Sequence, residues 1–138
     1  VKKNLNIDIA IFSAAVSDFS PKKKFKFKIK KNEINHINLK KNIDILKKIS
    51  TLKKSRPKII IGFAAETNNV FKNARKKLID KKCDAIIVNK IDKNNKVFNS
   101  DFNKVSFITN TSSQNLKKMS KTNVAKKIIN LINNLSNK

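Results

Sequence analysis

The sequence predicts an α/β fold, a Rossmann-like open and mostly parallel sheet with flanking helices and a β-hairpin insertion at about residues 22–41. Two observations predict it. Short apolar segments rich in β-branched residues alternate along the chain with segments whose apolar residues recur at helical spacing. The chain of 138 residues also shows no internal repeat or linker, so one sheet can hold all of the strands. Strand–helix–strand crossovers then place neighbouring strands parallel.

The first half of the chain supplies one strand, the hairpin and one helix. Residues 7–16 are mostly apolar and predict a buried strand, which the turn residues 17–21 end. Residues 25–30 and 34–39 alternate between apolar and polar types around a turn at Asn32-Glu33, which predicts the hairpin. A helix over 43–54 follows, with Asn42 as its N-cap and Asp44 in its first turn.

The second half repeats the alternation of strand and helix. Residues 58–65 predict a second buried strand, and Thr67 or Asn68 caps a helix whose apolar stripe is Phe71, Ala74 and Leu78. Residues 84–88 predict a third strand, 89–101 a polar loop and 105–109 a fourth strand. Residues 121–135 have apolar side chains at a 3.6-residue period and predict the last helix.

Composition excludes several classes of protein. The only glycine, Gly62, rules out a Gly-rich phosphate loop, and the lone Cys83 rules out an internal disulfide and a cysteine zinc site. No apolar run approaches the ~20 residues that span a bilayer. Asp8 interrupts the apolar segment that follows Lys2-Lys3, which is unfavourable in a signal peptide, and no cysteine pairing suggests export, so we expect a cytoplasmic protein. The net charge of +24 comes from 31 Lys and only 2 Arg spread along the chain. Such a surface attracts phosphates but predicts no specific nucleic-acid binding.

Open sheets of this class bind ligands at the carboxyl ends of their strands, so the residues that follow the strands are candidates. Asp18 follows the first strand, where a carboxylate can bind a sugar, a base or Mg²⁺, or can simply form a turn. Asp44 begins a helix, whose backbone N–H groups can bind an anion or the edge of a base. An ordinary capped helix is the alternative explanation of Asp44, and on this pattern alone the more common one.

Other candidates carry the same ambiguity. Gly62 indicates a close approach to the backbone, Phe63 suits either a base or the core, and Glu66 stands at a strand end. Lys77 and Lys81 share one helix face and can grip a triphosphate, although a chance pair is common in so basic a chain. The sequence predicts a structural or solvent-facing His36 and a buried, inert Cys83.

The order of several motifs is more specific than any one of them. The motifs are SAAVSDF, KIKK, KNIDIL, GFAAETNN, a K-x-x-x-K helix, IIVN, FNSDFN and SKTNVAKKI. In this order they resemble the synthetase part of the bacterial bifunctional coenzyme A enzyme, which is phosphopantothenate–cysteine ligase. The resemblance runs from about Ile7 to Ile132.

The resemblance implies a reaction and its partners. Enzymes of this family join 4′-phosphopantothenate to cysteine with CTP and Mg²⁺. The substrate carboxylate attacks the α-phosphate of CTP, pyrophosphate leaves, and the cysteine amine displaces CMP from the acyl-cytidylate. The family also implies a homodimer.

The resemblance also implies roles for residues. Lys28 of KIKK would be the catalytic cation, on a mobile loop that reaches the reacting phosphate. Asn42, Glu66 and Asn89 would bind substrate or form the scaffold of the site. The residues implied at the nucleotide are Phe12, Ser13, Ala14, Asp18, Ile43, Asp44, Ile45, Leu46, Phe63, Lys77 and Lys81.

Two departures from the family pattern shape the expectation. Ile43 stands where the family usually has Pro, which costs some preorganisation of the helix start. The Ser/Gly-rich N-terminal half of the ligase domain and the flavin-dependent decarboxylase domain are not in this chain. We therefore interpret 1–138 as the C-terminal portion of a single ligase domain, without flavin, and we expect it to bind CTP well only when its missing N-terminal segment is supplied. The alternatives are a basic nucleic-acid-binding module and a non-catalytic remnant of this fold.

Overall fold

The computed structural model of the chain describes residues 6–28, 30, 36–91 and 100–136. The elements in these ranges, in chain order, are β1 (Ile9–Phe12), β2 (Phe19–Pro21), β3 (Leu39–Lys41), α1 (Ile45–Ser50), β4 (Ile59–Glu66), α2 (Val70–Lys81), β5 (Ala85–Lys90), β6 (Phe102–Asn103), β7 (Val105–Thr109), β8 (Ser113–Asn115), β9 (Met119–Ser120) and α3 (Lys121–Ser136). None of the helices in the described part of the chain is long and apolar enough to cross a membrane.

The central sheet has the strand order β1-β4-β5-β7-β8. β1, β4 and β5 are parallel, whereas β7 is antiparallel to both β5 and β8. The helices α1 and α2 link the three parallel strands as crossovers. The predicted open, mostly parallel α/β sheet is therefore confirmed.

Two apolar cores lie on opposite faces of this sheet. Alternate residues of β4 explain the division, because Ile60 packs with α1 and α2 whereas Ile59 and Ile61 pack with α3. The predicted helix over 121–135 is confirmed by α3, which buries Val124, Ile128 and Ile132. Its start is held by the Lys121 N–H, which donates to the Asp101 carbonyl at 2.8 Å.

The first predicted strand is shorter and less buried than expected. β1 covers Ile9–Phe12 rather than 7–16, and only Ala10 in it is buried. The reason is that β1 is an edge strand of the sheet in the described part of the chain. Ala10 and Phe12 face the core of α1 and α2, while Ile9 and Ile11 face the other side and remain exposed.

The predicted hairpin is present in altered form. Its antiparallel ribbon pairs β2 with β3, so Phe19–Pro21, expected to be a turn, forms a strand opposite Leu39–Lys41. Residues 25–28 form no strand, and the apolar side chains in this segment are largely exposed, Phe25 at 50% and Phe27 at 86%. The remainder of the predicted hairpin, residues 29 and 31–35, lies outside the described residues. His36 is exposed, as expected.

The predicted N-caps of α1 and α2 are both wrong. Asp44, not Asn42, caps α1, because its Oδ1 accepts the Lys47 N–H at 2.9 Å. α1 therefore spans Ile45–Ser50 instead of 43–54. α2 begins after Asn69, which adopts a left-handed conformation with φ 45°. Phe71 is exposed on α2, and Val70 packs against the core instead.

The region after the third predicted strand also differs. β5 continues to Lys90, so Asn89 belongs to a strand rather than to the loop. The short strands β6, β8 and β9 were not predicted, because two or three residues show no period of apolar side chains and become strands only through pairing with β9, β7 and β6. The predicted loop residues 92–99 lie outside the described residues.

Cys83 is buried, as expected from the sequence. Burial raises the pKa of its thiol to about 11, because the thiolate would lose its hydration. A thiol with so high a pKa is unreactive near neutral pH.

Arg56 and Asp84 form a polar clamp at the amino end of the parallel strands. The Arg56 guanidinium donates to the carbonyls of Ser50, Pro57, Lys58 and Lys82 and to Asp84 Oδ2 at 2.9 Å. The same Asp84 oxygen accepts the backbone N–H of Ile60 at 2.7 Å. Through these hydrogen bonds, the Arg56–Asp84 pair connects the end of α1, the end of α2 and the starts of β4 and β5.

Candidate functional site

The carboxyl ends of β1, β4 and β5 lie along one edge of the sheet, because the three strands are parallel. Phe12 ends β1 and is partly buried against the core. The residues that follow it, Ser13 and Ala14, are exposed, and so is Asp18. This edge is therefore open at the positions that the sequence analysis selected after the first strand.

Helix α2 carries a row of polar side chains that begins beside this edge and runs along one face of the helix. Asn73, Lys77 and Lys81 are four residues apart and share one face of the helix. Lys77 Nζ lies 2.7 Å from Glu66 Oε1, and the Lys81 ammonium pairs with Asp44 Oδ2. The two lysines expected at the triphosphate are thus brought together with two of the expected acids.

Asp44 is both the N-cap of α1 and the ion-pair partner of Lys81. Its Oδ1 accepts the Lys47 N–H, while its Oδ2 faces Lys81. Burial opposes ionisation of this carboxyl, but the Lys47 N–H and the Lys81 ammonium outweigh burial and hold its pKa below the usual 3.8. Asp44 is therefore ionised at neutral pH and fixes Lys81 next to the start of α1.

Glu66 ends β4 and is held through both of its oxygens. Oε1 faces Lys77, and Oε2 accepts from Asn73 Nδ2 at 2.9 Å. Burial again opposes ionisation, yet the hydrogen bonds from Lys77 and Asn73 keep the pKa of Glu66 below the usual 4.5. Asn73 also donates to the Asn68 carbonyl at 3.2 Å, so it braces the turn between β4 and α2.

Asn73 was missed by the sequence analysis. The signal that could have found it is its spacing, because it stands four residues before Lys77 on the same helix face. Asn73 is uncharged, and only the charged residues of that face were candidates for binding a phosphate.

Gly62 is approached closely, as expected, but by a side chain of the chain itself. A Cβ at this position would lie 2.5 Å from Leu46 Cδ2 and 2.9 Å from Ile86 Cδ1. Glycine therefore lets α1 pack tightly on β4. Leu46 and Ile45 contact the core, whereas Ile43, just before the helix, is 64% exposed.

Asn42 fastens the base of the ribbon. Its side-chain amide donates to the Ser17 carbonyl at 2.9 Å, and its Oδ1 accepts the Ser20 hydroxyl at 2.8 Å. Its backbone N–H donates to the Asp18 carbonyl at 2.8 Å. These contacts are those of a scaffold residue.

Phe63 and Asn89 lie on the other face of the sheet. Phe63 is partly buried against the α3 core. Asn89 Oδ1 accepts from Asn103 Nδ2 at 3.0 Å, and Asn103 Oδ1 accepts the Lys104 N–H at 2.8 Å. The sheet therefore separates Phe63 and Asn89 from Lys77 and Lys81.

Lys28, the expected catalytic cation, is exposed on the segment that follows β2. Ile29 and Lys31 of the same KIKK motif lie outside the described residues. The assignment of Lys28 to the reacting phosphate stays a prediction.

The described residues do not fit a metal site built by the protein. They include no group of three or more His, Cys, Asp or Glu side chains that could hold a metal ion. Both Asp44 and Glu66 already face ammonium groups, which compete with a cation. We therefore derive no step through a protein-bound metal.

The ion pairs of Asp44 and Glu66 predict a dependence of stability on pH. Because folding lowers both pKa values, the pairs stabilise the fold fully above the unfolded-state values of 3.8 and 4.5. This stabilisation is lost as the pH falls through the lower folded-state values. We expect urea unfolding of the chain between pH 7 and pH 3 to show the loss, and the Asp44→Asn, Glu66→Gln double variant to show less of it. Parallel curves for parent and variant would contradict this expectation.

Comparison with known proteins places the chain in a family. Residues 1–135 match the family described as the DNA/pantothenate metabolism flavoprotein C-terminal domain. The coenzyme A biosynthesis bifunctional protein CoaBC of Borreliella burgdorferi is 43% identical over 128 residues, which are 91% of this chain and 32% of that protein. The CoaBC protein of Bacillus subtilis is 40% identical over 131 residues, 94% of this chain and 32% of that protein. The chain therefore spans about a third of these relatives.

A solved structure agrees with the sequence relatives. The crystal structure of the C-terminal domain of the bifunctional protein CoaBC superposes with a TM-score of 0.71 and 30% identity, covering 96% of this chain and 56% of that one. The described fold and the sequence matches thus agree. The chain belongs to the family of the DNA/pantothenate metabolism flavoprotein C-terminal domain.

Proposed function

We propose that this chain is part of a phosphopantothenate–cysteine ligase of coenzyme A biosynthesis. Family membership supports the proposal, as do relatives whose names place them in coenzyme A biosynthesis. The ordered motifs support the specific reaction, because they resemble the ligase part of the bifunctional enzyme.

The proposed reaction has two steps. The carboxylate of 4′-phosphopantothenate attacks the α-phosphorus of CTP, the bond to the β-phosphate oxygen breaks, and pyrophosphate leaves. The cysteine amine then attacks the acyl carbon, loses a proton and expels CMP, which leaves 4′-phosphopantothenoylcysteine. Negative charge concentrates on the phosphates in the first step, so positioned cations and N–H donors are the groups that can lower its barrier.

The observation that carries the proposal is the pair of ammonium groups on one face of α2, with Lys77 beside Glu66 at the carboxyl end of β4 and Lys81 beside Asp44 at the start of α1. Lys77 and Lys81 are held one helical turn apart by carboxylates from two other elements. Lysines four residues apart on one helix face can contact the same triphosphate, with Lys77 nearer to the end of β4 and Lys81 nearer to the start of α1. In the proposal, Phe12, Ser13 and Ala14 border the nucleotide on the same edge.

Magnesium enters the proposal with the nucleotide. Mg²⁺ in nucleotide sites commonly keeps water and substrate phosphates as ligands, with few protein groups. This mode requires no cage of side chains. The chemistry that it would supply is neutralisation of phosphate charge.

Pyrophosphate release tests the proposed function. This chain, and a longer version that includes the rest of a relative's C-terminal domain, are mixed with CTP, Mg²⁺ and 4′-phosphopantothenate, and cysteine is added afterwards. We expect pyrophosphate before cysteine is added, CMP after it, and weaker CTP binding by the shorter chain. Failure of the longer version to release pyrophosphate with any nucleoside triphosphate would refute the proposal.

Lys77→Gln and Lys81→Gln are expected to raise the KM for CTP about 10-fold each and to leave kcat nearly unchanged. Lysines on a rigid helix would hold the triphosphate equally in the ground state and the transition state, which is uniform binding. Steady-state kinetics of the complete ligase measure both constants. A fall in kcat at unchanged KM would contradict this assignment.

A further inference from the structure

Glu66 is a largely buried carboxylate whose two oxygens both contact side chains of α2. Its side chain is 12% exposed, and its two oxygens contact Lys77 at 2.7 Å and Asn73 at 2.9 Å. Both partners come from one face of α2, while Glu66 itself ends β4. The carboxylate therefore cannot turn without breaking a contact to the helix.

Lys77 keeps the capacity to bind an anion in this arrangement. An ammonium group has three N–H donors, and its ion pair with the single oxygen Glu66 Oε1 leaves donors for an anion. The Lys77 side chain is 44% exposed, so the remaining donors are accessible at the carboxyl edge of the sheet. A long lysine side chain otherwise loses rotamer freedom on binding, which weakens affinity.

We propose that Glu66, with Asn73, is a positioning residue that holds the Lys77 ammonium in place for the phosphates of the nucleotide. The inference rests on the proposed function. Glu66 acts through Lys77 and does not itself contact the nucleotide. Asn73 fixes the second carboxylate oxygen, so the carboxylate stays in place when a phosphate approaches the ammonium.

Lys81 has a different partner. Asp44 is occupied by the cap of α1 as well as by Lys81, so its replacement would disturb the helix start together with the lysine. Glu66 caps no helix, and its substitution tests positioning more directly.

A double-mutant cycle tests the inference in a complete ligase that carries this segment. CTP affinity with Mg²⁺ is measured by calorimetry for the parent, Glu66→Gln, Lys77→Gln and the double variant. We expect Glu66→Gln to weaken binding about 5-fold in the parent and to have no further effect beside Lys77→Gln. In turnover, Glu66→Gln should raise KM and leave kcat unchanged.

Two further variants keep the test decisive. Asn73→Ser removes the hydrogen bond to Glu66 Oε2 and should weaken CTP binding about 2-fold, again only while Lys77 is present. If Glu66→Gln does not fold, Asn73→Ser takes its place in the cycle. Asp80→Asn changes an exposed acid on the same helix and should leave CTP binding unchanged.

Three results would overturn the inference. Tighter CTP binding by Glu66→Gln would show that the carboxylate competes with the phosphates. An equal loss with and without Lys77 would show a general structural role. Failure of the parent ligase to bind CTP would refute the proposed function, and this inference with it, whereas the first two results leave the proposed function intact.

Discussion

Lys28→Gln is expected to slow acyl-cytidylate formation by about 30- to 1000-fold in a complete ligase that carries this segment. That range corresponds to about 2–4 kcal/mol, the usual scale for one preorganised electrostatic group. The motif resemblance assigns Lys28 to the reacting phosphate, where charge develops only as the new bond forms. CTP affinity should therefore change much less than the rate.

Single-turnover release of pyrophosphate, measured beside CTP binding, separates the two effects. Lys26→Gln is the matched control, because Lys26 is exposed on the same segment and is two residues away. Folding should tolerate both changes, since exposed lysines contribute little to stability. If Lys28→Gln releases pyrophosphate at the parent rate, the catalytic assignment is wrong.

Lys28 and the α2 lysines differ in what surrounds them, and this difference motivates the different kinetic expectations. Lys77 and Lys81 are paired with carboxylates on a helix that packs on the sheet. Lys28 lies on a segment whose apolar neighbours, Phe25 and Phe27, remain exposed. A group held in place suits ground-state binding, whereas a group brought in by a loop suits a contact made during reaction.

The elements that the sequence predicted well are those whose pattern is set by burial. β4 and α3 repeat their apolar residues with the periods of a buried strand and an amphipathic helix, and their positions agree closely with prediction. β2, β6 and β9 were missed because their strands form through pairing with distant partners. Pro21 shows the limit of local rules, since it signals a turn but stands in an edge ribbon.

The site was predictable as a set of positions but not as a set of contacts. Helical spacing places Lys77 and Lys81 on one face, yet it says nothing of Asp44, which is 37 residues away from Lys81 in the chain. Gly62 illustrates the same limit. Its sequence context indicates a close approach, but the approaching group, Leu46, is identified only by the packing of α1 on β4.

Asp84→Ala is expected to lower the free energy of unfolding by about 2–3 kcal/mol. Asp84 Oδ2 accepts both the Arg56 guanidinium and the Ile60 N–H, and Ile60 is fully buried. The substitution leaves a buried N–H without an acceptor and a guanidinium without its counter-ion, each of which costs free energy. Urea unfolding of the chain, with an unchanged m-value, measures the loss.

The control for this substitution is another acid at the amino end of the sheet. Asp8 pairs with Lys58 at 2.8 Å, but both side chains are exposed to solvent, so Asp8→Asn should leave stability unchanged within error. Arg56→Ala should cost about as much as Asp84→Ala, and the double variant less than the sum of the two, because both changes break one clamp. If the two losses in free energy of unfolding are additive, Arg56 and Asp84 stabilise the fold independently. In that case Arg56 acts through its hydrogen bonds to the carbonyls of Ser50 and Lys82 rather than through Asp84.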